Sequence, residues 1–142
     1  MNQRTGLFWD ILEGRTSSPP AALLLGGKVL EVDPEQGTLT VVFEARPEFL
    51  NPFGIIHGGF LAAMLDDTLG ATLAATLGTD EFAPTIELQV SFIHAARVGP
   101  LQASGRVVHR GKFVAFLQGE LRTLEGQLLA TASATVLIQT IR

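Results

Sequence analysis

The chain of 142 residues has no cysteine and no tyrosine, one tryptophan and two methionines, and only 17% of it is charged. Without cysteine, disulfides, thiolate nucleophiles and Cys-based zinc sites are excluded. Basic charge is scarce: ten Lys and Arg against fourteen Asp and Glu leave a net charge of −4, the wrong balance for a general nucleic-acid surface. The N-terminal MNQRTGLFWD lacks the long apolar run of a secretory signal. Residues 55–77 are long enough to cross a bilayer, but His57, Asp66 and Asp67 lie among them and oppose insertion. No repeat, linker between domains or low-complexity tract is evident. A single cytoplasmic domain, 1–142, is expected. The low charge and an apolar fraction of 46% suit a domain that also buries surface between subunits.

What is present centres on 57–77, HGGFLAAMLDDTLGATLAATL. A helix here is apolar nearly all round, and so is expected to be buried on most faces. Burial does not call for two adjacent carboxylates, because an uncompensated buried charge costs several kcal/mol or shifts its pKa. Asp66 and Asp67 are therefore the first functional candidates. Asp66 stands nine residues past His57, roughly 13 Å along a helix and about half a turn out of phase. A site using both the Gly-rich helix start and the acid therefore needs two chains. Ala62, Ala63, Gly70, Ala71, Ala74 and Ala75 permit another backbone to come close.

Around this helix the pattern alternates. Leu7, Phe8, Ile11 and Leu12 recur at helical spacing, so 5–14 reads as a short amphipathic helix, with 1–20 as N-terminal helix and linker. Residues 22–32 and 38–45 read as strands joined by DPEQG. Pro47 and Pro52 bracket an irregular approach to His57, and Gly78 is expected to stop the helix. Thr85, Glu87, Gln89 and Ser91 alternate with Ile86, Leu88, Val90 and Phe92, a period-two strand. VGP at 98–100, RGK at 110–112 and LEG at 124–126 then separate strands over 101–110, 112–122 and 127–139. Short Gly-containing connections predict sequential hairpins, a four-stranded meander. The whole predicts an α+β arrangement, one antiparallel sheet against a central helix.

NPFGIIHGGFLAAMLDDTLG, followed by the alternating strand and the meander, resembles the hot-dog-fold acyl-CoA thioesterases, in the phenylacetic-acid-degradation (PaaI-like) and 4-hydroxybenzoyl-CoA branch. The resemblance runs over about 22–139. It implies a long helix wrapped by a curved antiparallel sheet, dimers whose sheets join, and often tetramers. It also implies acyl-CoA substrates hydrolysed at sites shared between subunits. Residue by residue, Asp66 matches the catalytic carboxylate, acting as nucleophile or as general base for water. Gly58 matches the helix-start glycine whose N–H binds the thioester oxygen, where unpaired donors suit a developing oxyanion. Asn51 matches a polar position that holds the water or the carbonyl, and Thr85 a hydroxyl that orients water beside the acid. His57 matches the motif histidine, a corner residue more than a proton carrier. Gly70 stands where some members carry a hydroxyl.

Gly59, with Arg110 and Lys112 flanking the turn at Gly111, completes the expected substrate contacts, the cations toward CoA phosphates. No metal spacing is present and no cofactor is expected. His94 and His109 have no evident partner. Aryl, arylacetyl and medium-chain acyl groups are all admitted by a pocket of Leu, Phe, Val and Ala, and a homodimer and a homotetramer both fit. The alternative reading is a hot-dog protein that binds an acyl-CoA or other acyl ligand without turning it over.

Overall fold

A computed structural model describes residues 4–141. In chain order the elements are α1 (Leu7–Leu12), α2 (Pro20–Leu25), β1 (Lys28–Asp33), β2 (Thr38–Ala45), α3 (Gly58–Ala74), β3 (Glu81–Phe82), β4 (Thr85–Phe92), β5 (Gly99–Arg110), β6 (Val114–Thr123), β7 (Leu128–Leu137) and β8 (Gln139–Thr140). A 3-10 turn, Pro47–Phe49, precedes α3. Six strands form one antiparallel sheet in the order β1-β2-β5-β6-β7-β4, and β3 pairs with β8 apart from it.

Helix α3 lies on the inner face of the sheet and is built to do so. Leu61, Met64, Leu65, Leu69 and Leu73 recur every three or four residues and are buried. Thr68 and Thr72 are buried with them, and each hydroxyl donates to the carbonyl four residues back, Met64 O at 2.8 Å and Thr68 O at 2.7 Å. That contact removes the cost of an unpaired buried hydroxyl. Under this stretch of helix, Gly105 of β5 and Gly119 of β6 face each other in register. A Cβ on Gly119 would stand 2.8 Å from Ser104 O and 3.0 Å from Leu69 Cδ2. Two bare backbones thus let the middle of α3 seat closely on the sheet.

Burial does not extend round the helix. Gly59 is exposed, and Ala62, Ala63, Asp66, Asp67, Gly70 and Ala74 are only half-buried. The sheet covers one side of α3, and the opposite stripe of small residues and acids lies open in the single chain.

Three expectations are corrected. Residues 20–25, taken largely into the first strand, form a helix. Pro20 sits at its first turn, Ala and Leu are good helix formers, and Gly26 closes it in the left-handed region at φ 70°. Arg46 then donates to the Leu23 and Leu24 carbonyls, at 3.0 and 2.5 Å, at the helix end. Second, α3 ends at Ala74, and Gly78 caps nothing: its N–H donates to Glu81 Oε1 at 2.8 Å.

Third, β5, β6 and β7 are sequential hairpins, but β4 pairs with β7 rather than β5. Both edges of β5 are taken, by β2 and β6. Residues 93–98 carry the chain across instead of turning it back. Ile93 N–H still donates to Leu129 O of β7 at 2.8 Å, while Ala96 O accepts from Ile56 N–H at 2.9 Å, just before α3. The result leaves β4 at the edge of the sheet beside the helix.

Candidate active site

The entrance to α3 is fixed by a chain of local contacts. Leu50 bridges to Ile56, and between them Asn51 Oδ1 accepts from Phe53 N–H at 2.9 Å and Ile55 N–H at 3.3 Å. Gly54, at φ 76°, supplies the backbone turn that a side chain would resist. Phe49 stacks on Phe60 with ring centroids 4.1 Å apart, fastening this loop to the first turn of the helix.

The donors at the helix start are then almost all spent. His57 N–H donates to Phe49 O at 2.8 Å, Gly59 N–H to His57 Nδ1 at 3.2 Å, and Phe60 N–H to His57 O at 2.9 Å. Gly58 N–H alone in this turn has no acceptor among the described residues. His57 is therefore a side-chain cap on the helix, and Gly59 has its N–H committed to it. Gly58 is left as a free donor at the positive end of a helix dipole, suited to an oxygen that gains negative charge. Because both Asn51 side-chain contacts come from backbone N–H groups, its oxygen is the committed end, and its amide Nδ2 has no acceptor among the described residues.

A cleft of about 310 Å³ opens here, lined by Asn51, Gly58, Leu61, Phe92, Ile93 and His94 among others. The Phe92 ring forms one wall, so close that a Cβ on Gly58 would lie 3.2 Å from Phe92 Cζ. A larger groove of about 660 Å³ lies on the outer face of the sheet, among Thr40, Ser104, Gln118 and Ser133. None of the candidate catalytic groups lines it, whereas Asn51 and Gly58 line the smaller cleft.

The acids lie two turns further along. Thr85, at the start of β4, donates its hydroxyl to Asp66 Oδ1 at 3.1 Å. The contact holds the Asp66 carboxylate in place while leaving the pair open to solvent. Asp67 has no such partner among the described residues, and burial, with the Asp66 charge second, raises its carboxyl above the usual range. Gly58 and Asp66 are eight residues apart on one helix, about 12 Å along its axis. The chain thus brings Asp66 to Thr85 and Asn51 to Gly58, but does not bring the two pairs together.

The cations lie elsewhere. Arg110 pairs with Glu81 at 3.0 Å and donates to Thr76 O at 3.0 Å, just beyond the end of α3. Thr76 is ten residues past Asp66, roughly 15 Å of helical rise. Lys112 stands over the Phe113 ring, 5.3 Å from its centroid. Among the described residues no three His, Asp or Glu side chains gather to hold a metal ion, and no helix is long and apolar enough to cross a membrane. Sequence reasoning missed Phe92 and His94 as cleft residues. The alternation grouped Phe92 with Ile86, Leu88 and Val90, but only the fold puts it over Gly58.

The raised Asp67 carboxyl has a consequence for stability. Its charged form is disfavoured in the fold, so this group costs nothing below the ordinary carboxylate range and destabilises as pH rises through its folded value. Asp67→Asn is expected to raise the melting temperature at neutral pH. The gain should shrink to nothing in acid, which thermal unfolding across pH checks directly.

Residues 53–130, more than half of the chain, match the thioesterase superfamily. A phenylacetic acid degradation-related protein from Ralstonia eutropha JMP134 has the same fold, with TM-score 0.89 and 39% identity, covering 92% of this chain and 98% of that one. Human acyl-coenzyme A thioesterase 13 is 26% identical over 139 residues, 95% of this chain and 96% of the human one. A hypothetical thioesterase protein from Streptococcus pneumoniae, solved with coenzyme A, shares the fold at TM-score 0.77 and 19% identity, covering 86% of this chain and 94% of that one.

Proposed function

The chain belongs to the thioesterase superfamily, with the hot-dog fold, and from that premise we propose that it hydrolyses acyl-CoA thioesters to a free acid and CoA. The observation that carries the reading is the unspent Gly58 N–H at the head of α3, opening into a cleft beside an amide donor on Asn51. In the reaction the thioester oxygen takes these two hydrogen bonds, which strengthen as the carbonyl becomes tetrahedral and its oxygen negative. Asp66, oriented by Thr85, attacks the carbonyl carbon or takes a proton from the water that does. Collapse of the tetrahedral centre breaks the carbon–sulfur bond. CoA leaves as thiolate and the acyl group ends as the free acid. If Asp66 is the nucleophile, water then cleaves the acyl–aspartate anhydride.

The acid and the donor come from different subunits in this proposal. Strand β4 ends the sheet with one edge unpaired among the described residues, and Ile86 and Phe92 on it are exposed. Unpaired edges of this kind pair with other strands. A second copy paired there continues the sheet and sets two α3 stripes of small residues facing each other. The working assembly is a cytoplasmic homodimer or homotetramer, with acyl-CoA as its small-molecule partner. Gly59 with the Arg110 and Lys112 region supplies the further substrate contacts, the cations reaching CoA phosphates only once Arg110 exchanges its Glu81 partner.

The test is turnover of a panel of aryl, arylacetyl and medium-chain acyl-CoA esters, with released thiol followed by a chromogenic reagent. Thiol release above the buffer rate by a dimer or tetramer, sized by light scattering, is the expected result. Tight binding of the esters with no release would replace this reading with that of an acyl-ligand binding protein. An active monomer would overturn the shared site.

A further inference from the structure

We infer that His94 is a specificity-determining residue of the cleft beside Gly58, its imidazole Nε2 accepting a hydrogen bond from an O–H or N–H group of the bound thioester. For the kind of ligand, the inference rests on the proposed function. The orientation of the ring does not. His94 Nδ1 lies 2.9 Å from Leu128 O, and a carbonyl oxygen can only accept, so Nδ1 carries the hydrogen. In the neutral ring Nε2 is then an acceptor. The His94 backbone N–H donates to the next carbonyl of the same strand, Leu129 O, at 3.2 Å, so ring and backbone are both tied to β7.

Among the residues lining the cleft only Asn51 and His94 have polar side chains. Asn51 has its oxygen committed to the loop and offers donors, as Gly58 does. Those donors match a thioester carbonyl, which has no hydrogen to give back. The acceptor on His94 therefore answers a different part of the ligand. Two parts carry a suitable hydrogen: a hydroxyl on the acyl group, and the amide N–H groups in the thiol arm of CoA. A site that accepts from such a group discriminates against ligands without it, because its own polar atom is then left unpaired.

The experiment compares wild type, His94→Leu and His94→Gln on four ligands: an arylacetyl group and its para-hydroxylated twin, each joined to CoA and to a short thiol without amides. Both kcat/KM and the affinity for the corresponding non-hydrolysable thioethers are measured. His94→Leu is expected to lose on the order of tenfold on the ligands that carry the recognised donor and to match wild type on the others. A loss that follows the hydroxyl assigns the acyl group; a loss that follows CoA assigns the thiol arm. His94→Gln, which keeps a donor for Leu128 O and an acceptor beyond it, should recover part of the loss. Equal effects on all four ligands, or none on any, would overturn the inference while leaving the thioesterase reading intact. A wild type that binds the thioethers with this discrimination but releases no thiol would defeat the proposed function and keep His94. One that binds none of them overturns the His94 inference, while the thioesterase reading stands or falls with the wider panel of acyl-CoA esters.

Discussion

Asp66→Asn is expected to lower kcat by on the order of 10²-fold or more with the fold intact. The substitution is nearly isosteric, and the new amide can still accept from the Thr85 hydroxyl that now donates to Asp66 Oδ1 at 3.1 Å. What disappears is the negative charge, and with it both available roles, nucleophile and general base. Asp67→Asn should do markedly less. The two acids are adjacent in sequence, so their side chains leave α3 about 100° apart and cannot both meet one carbonyl. Thr85 chooses between them by holding Asp66, whereas Asp67 is half-buried and disfavoured in its charged form. A raised pKa does not by itself make Asp67 the weaker base, so the choice rests on the Thr85 contact that orients Asp66. Steady-state rates of the two variants, with circular dichroism to confirm folding, decide the assignment. If Asp67→Asn proved the more damaging, the acid would be Asp67 and the Thr85 contact merely structural.

The candidate acid is legible in the amino-acid sequence because its signals are local. The helix from the His-Gly-Gly corner, the period-two strand beginning at Thr85 and the loop around Asn51 all depend on residues close in sequence. Where the sequence misleads, the deciding interaction is remote. AALLLGG contains an apolar run that suits a buried strand as well as a helix, and periodicity cannot separate the two over so short a length. Arg46, more than twenty residues away, meets the carbonyls at the end of the helix that forms. The crossing of β4 to β7 is likewise invisible locally, since VGP at 98–100 reads as a turn until β2 is known to occupy the edge of β5. His94 has no partner visible in the sequence because that partner, Leu128 O, is a backbone carbonyl 34 residues on. Arg110 reads as a phosphate ligand because its contact with Glu81 closes only in the fold.

Mixing two inactive variants should restore activity. In a two-fold dimer each proposed site takes Gly58 from one chain and Asp66 from the other. Gly58→Val places a side chain against the Phe92 ring, where a Cβ alone would come within 3.2 Å, and crowds the space that the thioester oxygen needs. Losing one oxyanion donor of this kind costs roughly 3 kcal/mol in kcat. Asp66→Asn removes the acid from the other half of the site. A heterodimer of the two then holds one site with both lesions and one with neither. About half of the wild-type activity per mixed dimer is therefore expected, from parents that are each nearly inactive. Subunit exchange is confirmed by native mass, and each parent is checked for its folded, assembled state. If heterodimers form and no activity returns, the donor and the acid are not drawn from different chains. They would then have to act from one helix, about 12 Å apart along its axis, and a single thioester carbonyl cannot span that distance.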